Sequence, residues 1–271
     1  MRTMGGDRWR VPDSVVLPGA RGVASGLALR LEGVSLGSGG APVVRGLDLT
    51  VAPGRVLVVV GASGRGKSTL LRSLAGLLPV AAGRLLADGV PITGPSPDRA
   101  LVFQDDALLP WRSALRNVEL PLAIRSVPRA RRRAQAELWL ARVGLAGQEH
   151  RLPGQLSGGM RQRVQLARTL VGEPRAILLD EPFGALDAPT RTHMQLLLID
   201  VLKATTATVV LVTHDVDEAL FVGDAVAVLG PDGVHAMVDV PAPRDPTERG
   251  TPEAAAARRA IVTALLNTPR S

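Results

Sequence analysis

Val56-Leu57-Val58-Val59-Val60-Gly61-Ala62-Ser63-Gly64-Arg65-Gly66-Lys67-Ser68-Thr69-Leu70-Leu71 is the stretch on which the fold turns. Its first five residues are all aliphatic, the pattern of a strand buried on both faces of a parallel sheet. Gly61 to Ser68 satisfies G-x-x-x-x-G-K-[ST], and Thr69–Leu78 then has helical spacing through Leu70, Leu71, Leu74 and Leu77. In this strand–loop–helix context the glycines let the backbone curl until successive N–H groups face a phosphate chain. The helix start adds positive potential. The candidate nucleotide-binding residues are therefore Gly61, Ala62, Ser63, Gly64, Arg65, Gly66, Lys67, Ser68 and Thr69. Lys67 is placed to reach the β- and γ-phosphates, and the Ser68 hydroxyl to ligate Mg²⁺. An ordinary glycine-rich turn is the alternative, and the complete pattern in this context outweighs it.

Working outward, Leu27, Leu29 and Leu31 alternate with other residues, as do Leu47, Leu49 and Val51, so both segments read as half-buried strands. Buried strands are expected at Ala100–Phe103, Ala176–Leu179, Thr208–Thr213 and Val226–Leu229. A long helical stretch rich in Arg, Ala and Leu, about Ser113 to Val171, reads as an inserted helical subdomain. Alternating strands and helices predict a doubly wound α/β core. Ligands bind such sheets at the carboxyl ends of the strands. Asp180 and Glu181 close the strand Ala176–Leu179, and His214 follows Thr208–Thr213, so all three belong at the rim of the phosphate loop. Asp180 suits Mg²⁺ through its water shell, and Glu181 suits a general base that polarises water.

Composition narrows the field. The chain has 271 residues, 46% hydrophobic and 21% charged, so a sizeable core is available and wholesale disorder is excluded. There is no cysteine, which removes disulfides, thiolate metal sites and cysteine nucleophiles. The four histidines show no metal-ligand spacing. No apolar run reaches the roughly 18 residues of a membrane span, and Gly5, Asp7, Arg8 and Arg10 break any secretory core. The net charge of +7 rests on arginines, with lysine only at 67 and 203. Nucleic acid is not the expected partner, because aromatics are 2% with no tyrosine, leaving few stacking platforms. Arg129 and Arg131–Arg133 read as the solvated face of a helix opening after Pro128.

Leu156-Ser157-Gly158-Gly159-Met160 opens another helical stretch, with Ser157 as N-cap and two glycines exposing N–H groups, a second anion-binding element. Together with GASGRGKST, LLDEPFGALD and VTHD it makes the chain resemble the nucleotide-binding subunits of ATP-binding cassette (ABC) transporters. Val102–Trp111, VFQDDALLPW, resembles the nitrate, sulfonate and taurine importer group. The resemblance spans about residues 27–266. It implies a P-loop NTPase (RecA-like) core with an N-terminal antiparallel β subdomain and an inserted α-helical subdomain at about 105–171. A flexible lead, 1–25, precedes the ATP-binding domain at 27–235, and a tail with one helix follows at 236–271.

The resemblance also implies roles. Gln104 is the Q-loop residue that contacts Mg²⁺ and relays to a membrane partner. Ser157, Gly158 and Gly159 bind the γ-phosphate in trans, and Asp187 is the D-loop residue that speaks across the dimer interface. Glu181 is the catalytic base and His214 the switch histidine; Ser68, Gln104 and Asp180 hold the metal. The implied cofactors are ATP and Mg²⁺. The implied partners are a membrane permease, a second ATPase subunit (a homodimer, given one complete motif set) and, indirectly, an extracytoplasmic solute-binding protein. The implied place is peripheral, on the cytoplasmic face of the membrane. A soluble ABC ATPase of DNA repair or translation is the competing reading, disfavoured by one phosphate loop, one signature and only about 90 residues between them. The family stacks adenine on an aromatic residue 23 positions before Gly61, where this sequence has Ser38. Weakened adenine selectivity or affinity is therefore expected. Met160 stands where the signature often has glutamine, with little expected effect on chemistry.

Overall fold

The computed structural model describes residues 26–37, 42–104, 107–184, 186–203, 205–241 and 250–268. The lead 1–25, Ser38, Asp105, Asp106, Ala185, Pro243 and Pro246 lie outside the described residues. In chain order the elements begin with β1 (Leu29–Leu36), β2 (Val44–Val51), β3 (Val56–Val60), α1 (Lys67–Leu74), β4 (Ala82–Ala87), β5 (Val90–Pro91) and β6 (Arg99–Val102). The helical insertion follows, with α2 (Ala114–Val118), α3 (Leu120–Ile124), α4 (Arg129–Arg142) and α5 (Gly158–Leu170). The chain then returns through β7 (Ala176–Asp180), α6 (Ala188–Lys203), β8 (Thr208–Val212), α7 (Val216–Val222), β9 (Ala225–Gly230), β10 (Gly233–Asp239) and α8 (Pro252–Asn267).

Two sheets result. The larger has the order β10-β9-β3-β8-β7-β6, parallel except for β10, and the smaller is antiparallel, β2-β1-β4-β5. Side chains on β3 alternate between two cores. Val56, Val58 and Val60 join the helices of the insertion and the C-terminal half. Leu57 and Val59 join α1 and the antiparallel sheet. The doubly wound expectation is modified here, because a sheet together with α1 covers the second face. Leu70, Leu71 and Leu74 of α1 are fully enclosed. At ~1.5–3 kcal/mol each they stabilise that layer by about 5–9 kcal/mol, before conformational costs.

The expected helix through Leu78 stops at Leu74, because Gly76 adopts φ 79° and ends it. Gly76 N–H donates to Ser73 O and Leu77 N–H to Arg72 O, both at 2.9 Å, the paired bonds of a left-handed glycine cap. Strands β4, β5 and β10 were not expected. Their burial is one-sided or absent, so they lack the continuous apolar runs that marked the central strands.

Candidate functional site

Register puts the site at one rim. Val59 of β3 lies opposite Val212 of β8, and Val212 lies opposite Asp180 of β7, so three neighbouring strands end at the same level. The phosphate loop, the Asp180–Glu181 pair and His214 leave from those ends, as the sequence indicated.

Gly64 and Gly66 take φ 78° and 74°, which L-side chains adopt only at a cost, and this turns the loop into the helix start. Lys67 is 6% exposed, and its Nζ donates to Gly61 O at 2.8 Å and Ala62 O at 2.9 Å. Burial lowers its pKa, opposed by the charges of Glu181 and Asp180. Both acids therefore lie close enough to the ammonium to act on it. The Ser68 hydroxyl donates to Asp180 Oδ1 at 3.0 Å. Burial raises the Asp180 pKa, while the Ser68 bond holds it down. A hydroxyl beside a single buried carboxylate fits Mg²⁺, which keeps most of its waters and takes one or two protein carboxylates.

Adjacent side chains on a strand point to opposite faces, which by itself separates Asp180 from Glu181. The structure adds a sharper reason: Glu181 leaves the strand with φ 42°, an unusual left-handed backbone for a non-glycine residue. Its N–H still donates to Val212 O at 2.9 Å, tying it to β8. The turned carboxylate meets His214, whose Nδ1 lies 3.3 Å from Glu181 Oε2. His214 is 66% exposed, so one face of this pair is open. A pocket beside the loop, lined by Val43, Arg45, Gly64, Arg65 and Asp232 among others, has no aromatic side chain among the described residues that line it.

The other expected residues lie on separate elements, and of these Gln104 follows β6, whose Val102 pairs with Leu179 of the parallel β7, so it leaves the sheet at the same rim. Ser157 caps α5, its Oγ accepting from Met160 N–H at 3.3 Å, and both Ser157 and Gly158 face outward. Gly159 packs toward the first turn of α6: a Cβ there would come 2.7 Å from Thr190 Cγ2. Asp187 caps α6 through Thr190 N–H at 2.8 Å, which, with a second bond from the Thr190 side chain, holds its carboxyl low. Gln104 is exposed at the end of β6.

Sequence reasoning missed Asn117. It is fully enclosed, accepting from Leu109 N–H at 2.8 Å and offering its amide to Leu109 O, Arg112 O and Ser113 O. It thereby fixes the loop that presents Trp111, which is 72% exposed. A lone asparagine just inside a helix gives no signal of such a task.

Comparison with known proteins agrees with this geometry. The ABC transporter family profile matches residues 44–184. The chain is 49% identical over 206 residues to the taurine import ATP-binding protein TauB of Pseudomonas fluorescens, covering 75% of this chain and 78% of that one. It is 47% identical over 192 residues to the TauB of Yersinia pestis, covering 71% and 75%. Among solved structures it resembles the dimeric ATP-binding cassette MJ0796 bound to ADP and Pi. That likeness has TM-score 0.69 and 30% identity, and covers 79% of this chain and 99% of that one. With a phosphate loop, an acid pair and a histidine converging on one rim, and a serine-capped glycine start to α5, the chain belongs to the ABC transporter family and is an ATP-hydrolysing subunit of that class.

Proposed function

We propose that this chain energises a membrane importer of small solutes of the nitrate, sulfonate or taurine kind. In this reading it works as a homodimer at the cytoplasmic face, beneath a separate permease served by an extracytoplasmic binding protein. No helix among the described residues is long and apolar enough to cross a membrane, so the permease span belongs to another chain in this reading. The observation that carries the proposal is the Glu181–His214 pair facing outward beside Lys67 and the Ser68–Asp180 bond.

Lys67 and the loop N–H groups bind the β- and γ-phosphates of ATP. Ser68, Asp180 and Gln104 would hold Mg²⁺, which when bound neutralises charge on the β- and γ-phosphate oxygens. Glu181 polarises the attacking water, and His214 orients the Glu181 carboxylate from its open side. Ser157, Gly158 and Gly159 complete the partner subunit's site, and Asp187 lies at the same interface. ATP closes the pair and hydrolysis reopens it. Trp111, held out on the Asn117-braced loop, gives the permease a contact that senses this change.

The test uses a tagged Glu181→Gln chain purified from detergent-solubilised membranes of its source cells with ATP and Mg²⁺. It is expected to bind ATP without turnover and to co-elute with a multi-span permease, whose binding protein leads to the cargo. Recovery of nucleic acid or ribosomal proteins with no membrane partner would overturn the proposal in favour of the soluble ABC reading.

A further inference from the structure

Helix α5 carries more than the Ser157 end. Gln165, 3% exposed, is buried, as are its sequence neighbours Val164, Leu166 and Ala167. An amide in such surroundings is costly without a partner. Gln165 Nε2 donates to Phe103 O at 3.1 Å, the carbonyl directly before Gln104. One helical turn further on, Arg168 Nη1 donates to Ala107 O at 2.9 Å. Ala107 has φ 43°, so the chain on that side of Gln104 is held in a conformation alanine does not prefer. Phe103, next to Gln104, and Ala107, three residues beyond it, are thus fastened to one helix.

The helix suits this task. It packs on α2, α4 and β6, and Gln165 lies about 12 Å from Ser157 along the axis at 1.5 Å per residue. A well-packed helix of this length shifts as a body, because a packed core does not deform continuously. Displacing the Ser157 end therefore displaces the donors that hold Phe103 and Ala107.

We propose that Gln165, assisted by Arg168, is a positioning residue for Gln104, coupling engagement of the partner's nucleotide at Ser157 to the placement of Gln104 in this subunit's own site. This rests on the dimeric ATPase reading above. Two sites coupled in this way hydrolyse ATP cooperatively, and the coupling depends on the two donors. Gln165→Leu removes the amide and keeps the bulk, Arg168→Met removes the guanidinium, and Arg168→Lys retains a donor.

The experiment measures steady-state ATP hydrolysis by the full chain against ATP-Mg²⁺ concentration, with a melting curve for each variant. The wild type is expected to show a Hill coefficient above about 1.5, with 2 the ceiling for two sites. Gln165→Leu and Arg168→Met should bring it to about 1 and raise KM by about 2- to 30-fold, with Arg168→Lys close to wild type. Wild-type Hill coefficient and KM in both donor-free variants, whatever their melting temperatures, overturn the proposal, as does a non-cooperative wild type. If Gln165→Leu fails to fold, Arg168→Met at its partly exposed position carries the measurement. A wild type that neither binds nor hydrolyses ATP would instead bring down the functional reading.

Discussion

Replacing Asn117 by alanine removes a brace rather than a catalytic group, and the structure sets the size of the loss. Of the groups Asn117 serves, Leu109 O also accepts from Arg112 N–H at 3.0 Å, and Ser113 O accepts from Asn117 N–H at 2.9 Å. Truncation therefore orphans chiefly the Leu109 N–H and the Arg112 carbonyl. At ~1–3 kcal/mol for each unsatisfied group, and toward the low end because Leu109 and Arg112 are only partly buried, the cost is about 2–4 kcal/mol. For a chain of this size that lowers the melting temperature by about 5–15 °C. Asn117→Asp should be worse at neutral pH, because it keeps the acceptor for Leu109 N–H but sets an anion against three carbonyls. Scanning calorimetry of the two variants between pH 4 and 8, alongside permease capture, is the assay. Alanine within about 2 °C of wild type, or aspartate more stable than alanine at pH 7, would refute the reasoning. So would undiminished capture in a variant that has lost the brace.

Asp180→Asn should abolish turnover yet leave the nucleotide-free protein at least as stable as wild type at pH 7. Burial raises the Asp180 pKa above its ordinary 3.8, so the folded state binds the proton more tightly than the unfolded chain. Stability of the wild type therefore falls as pH rises through that window, and the variant's advantage should shrink toward pH 4 in chemical denaturation; a variant less stable at pH 7 contradicts this. Gly159→Ala should cost about 1–3 kcal/mol, because the new methyl meets Thr190 Cγ2, and the double variant with Thr190→Ser should recover most of it. Urea unfolding with no recovery in the double variant would rule out this contact as the cause. Ser38→Tyr should tighten ATP binding by about 5- to 150-fold, the worth of one base–aromatic stack, and favour ATP over GTP. An unchanged dissociation constant by calorimetric titration, or no gain over GTP, would sink the expectation.

The central strands and the rim were legible because each is written locally. Val56–Val60, Ala176–Leu179 and the Val209–Val212 run are apolar on both faces, and the acids and histidine follow at their ends. The Ser157 cap was legible for the same reason, since a serine before two glycines states its own geometry. What escaped depended on distant partners. Strand β10 alternates weakly and exists as the edge partner of β9. Asn117 and Gln165 matter through carbonyls across a loop, 62 residues away in the case of Phe103, and nothing near them in sequence announces the bond. Ser38 was legible as a departure from the family, while its surroundings lie outside the described residues.

The rim is assembled at a cost to the protein that the ligand is suited to relieve. Burial disfavours the charged forms of both Lys67 and Asp180, and each answers it with local bonds, Lys67 to two loop carbonyls and Asp180 to Ser68. The charges each already faces, Glu181 and Asp180 for Lys67 and Arg72 and Lys67 for Asp180, do not outweigh burial. Under the proposed function a triphosphate would add anionic charge that favours the charged form of Lys67, and Mg²⁺ would add cationic charge that favours that of Asp180. Glu181 adds backbone strain at φ 42°, held by its bond to Val212, and that strain keeps its carboxylate on the His214 side. Side chains placed this way before the substrate arrives need little reorganisation when it does, which is where electrostatic catalysis gains most. The same arrangement explains why removing the Asp180 charge is expected to help the fold and end the chemistry at once.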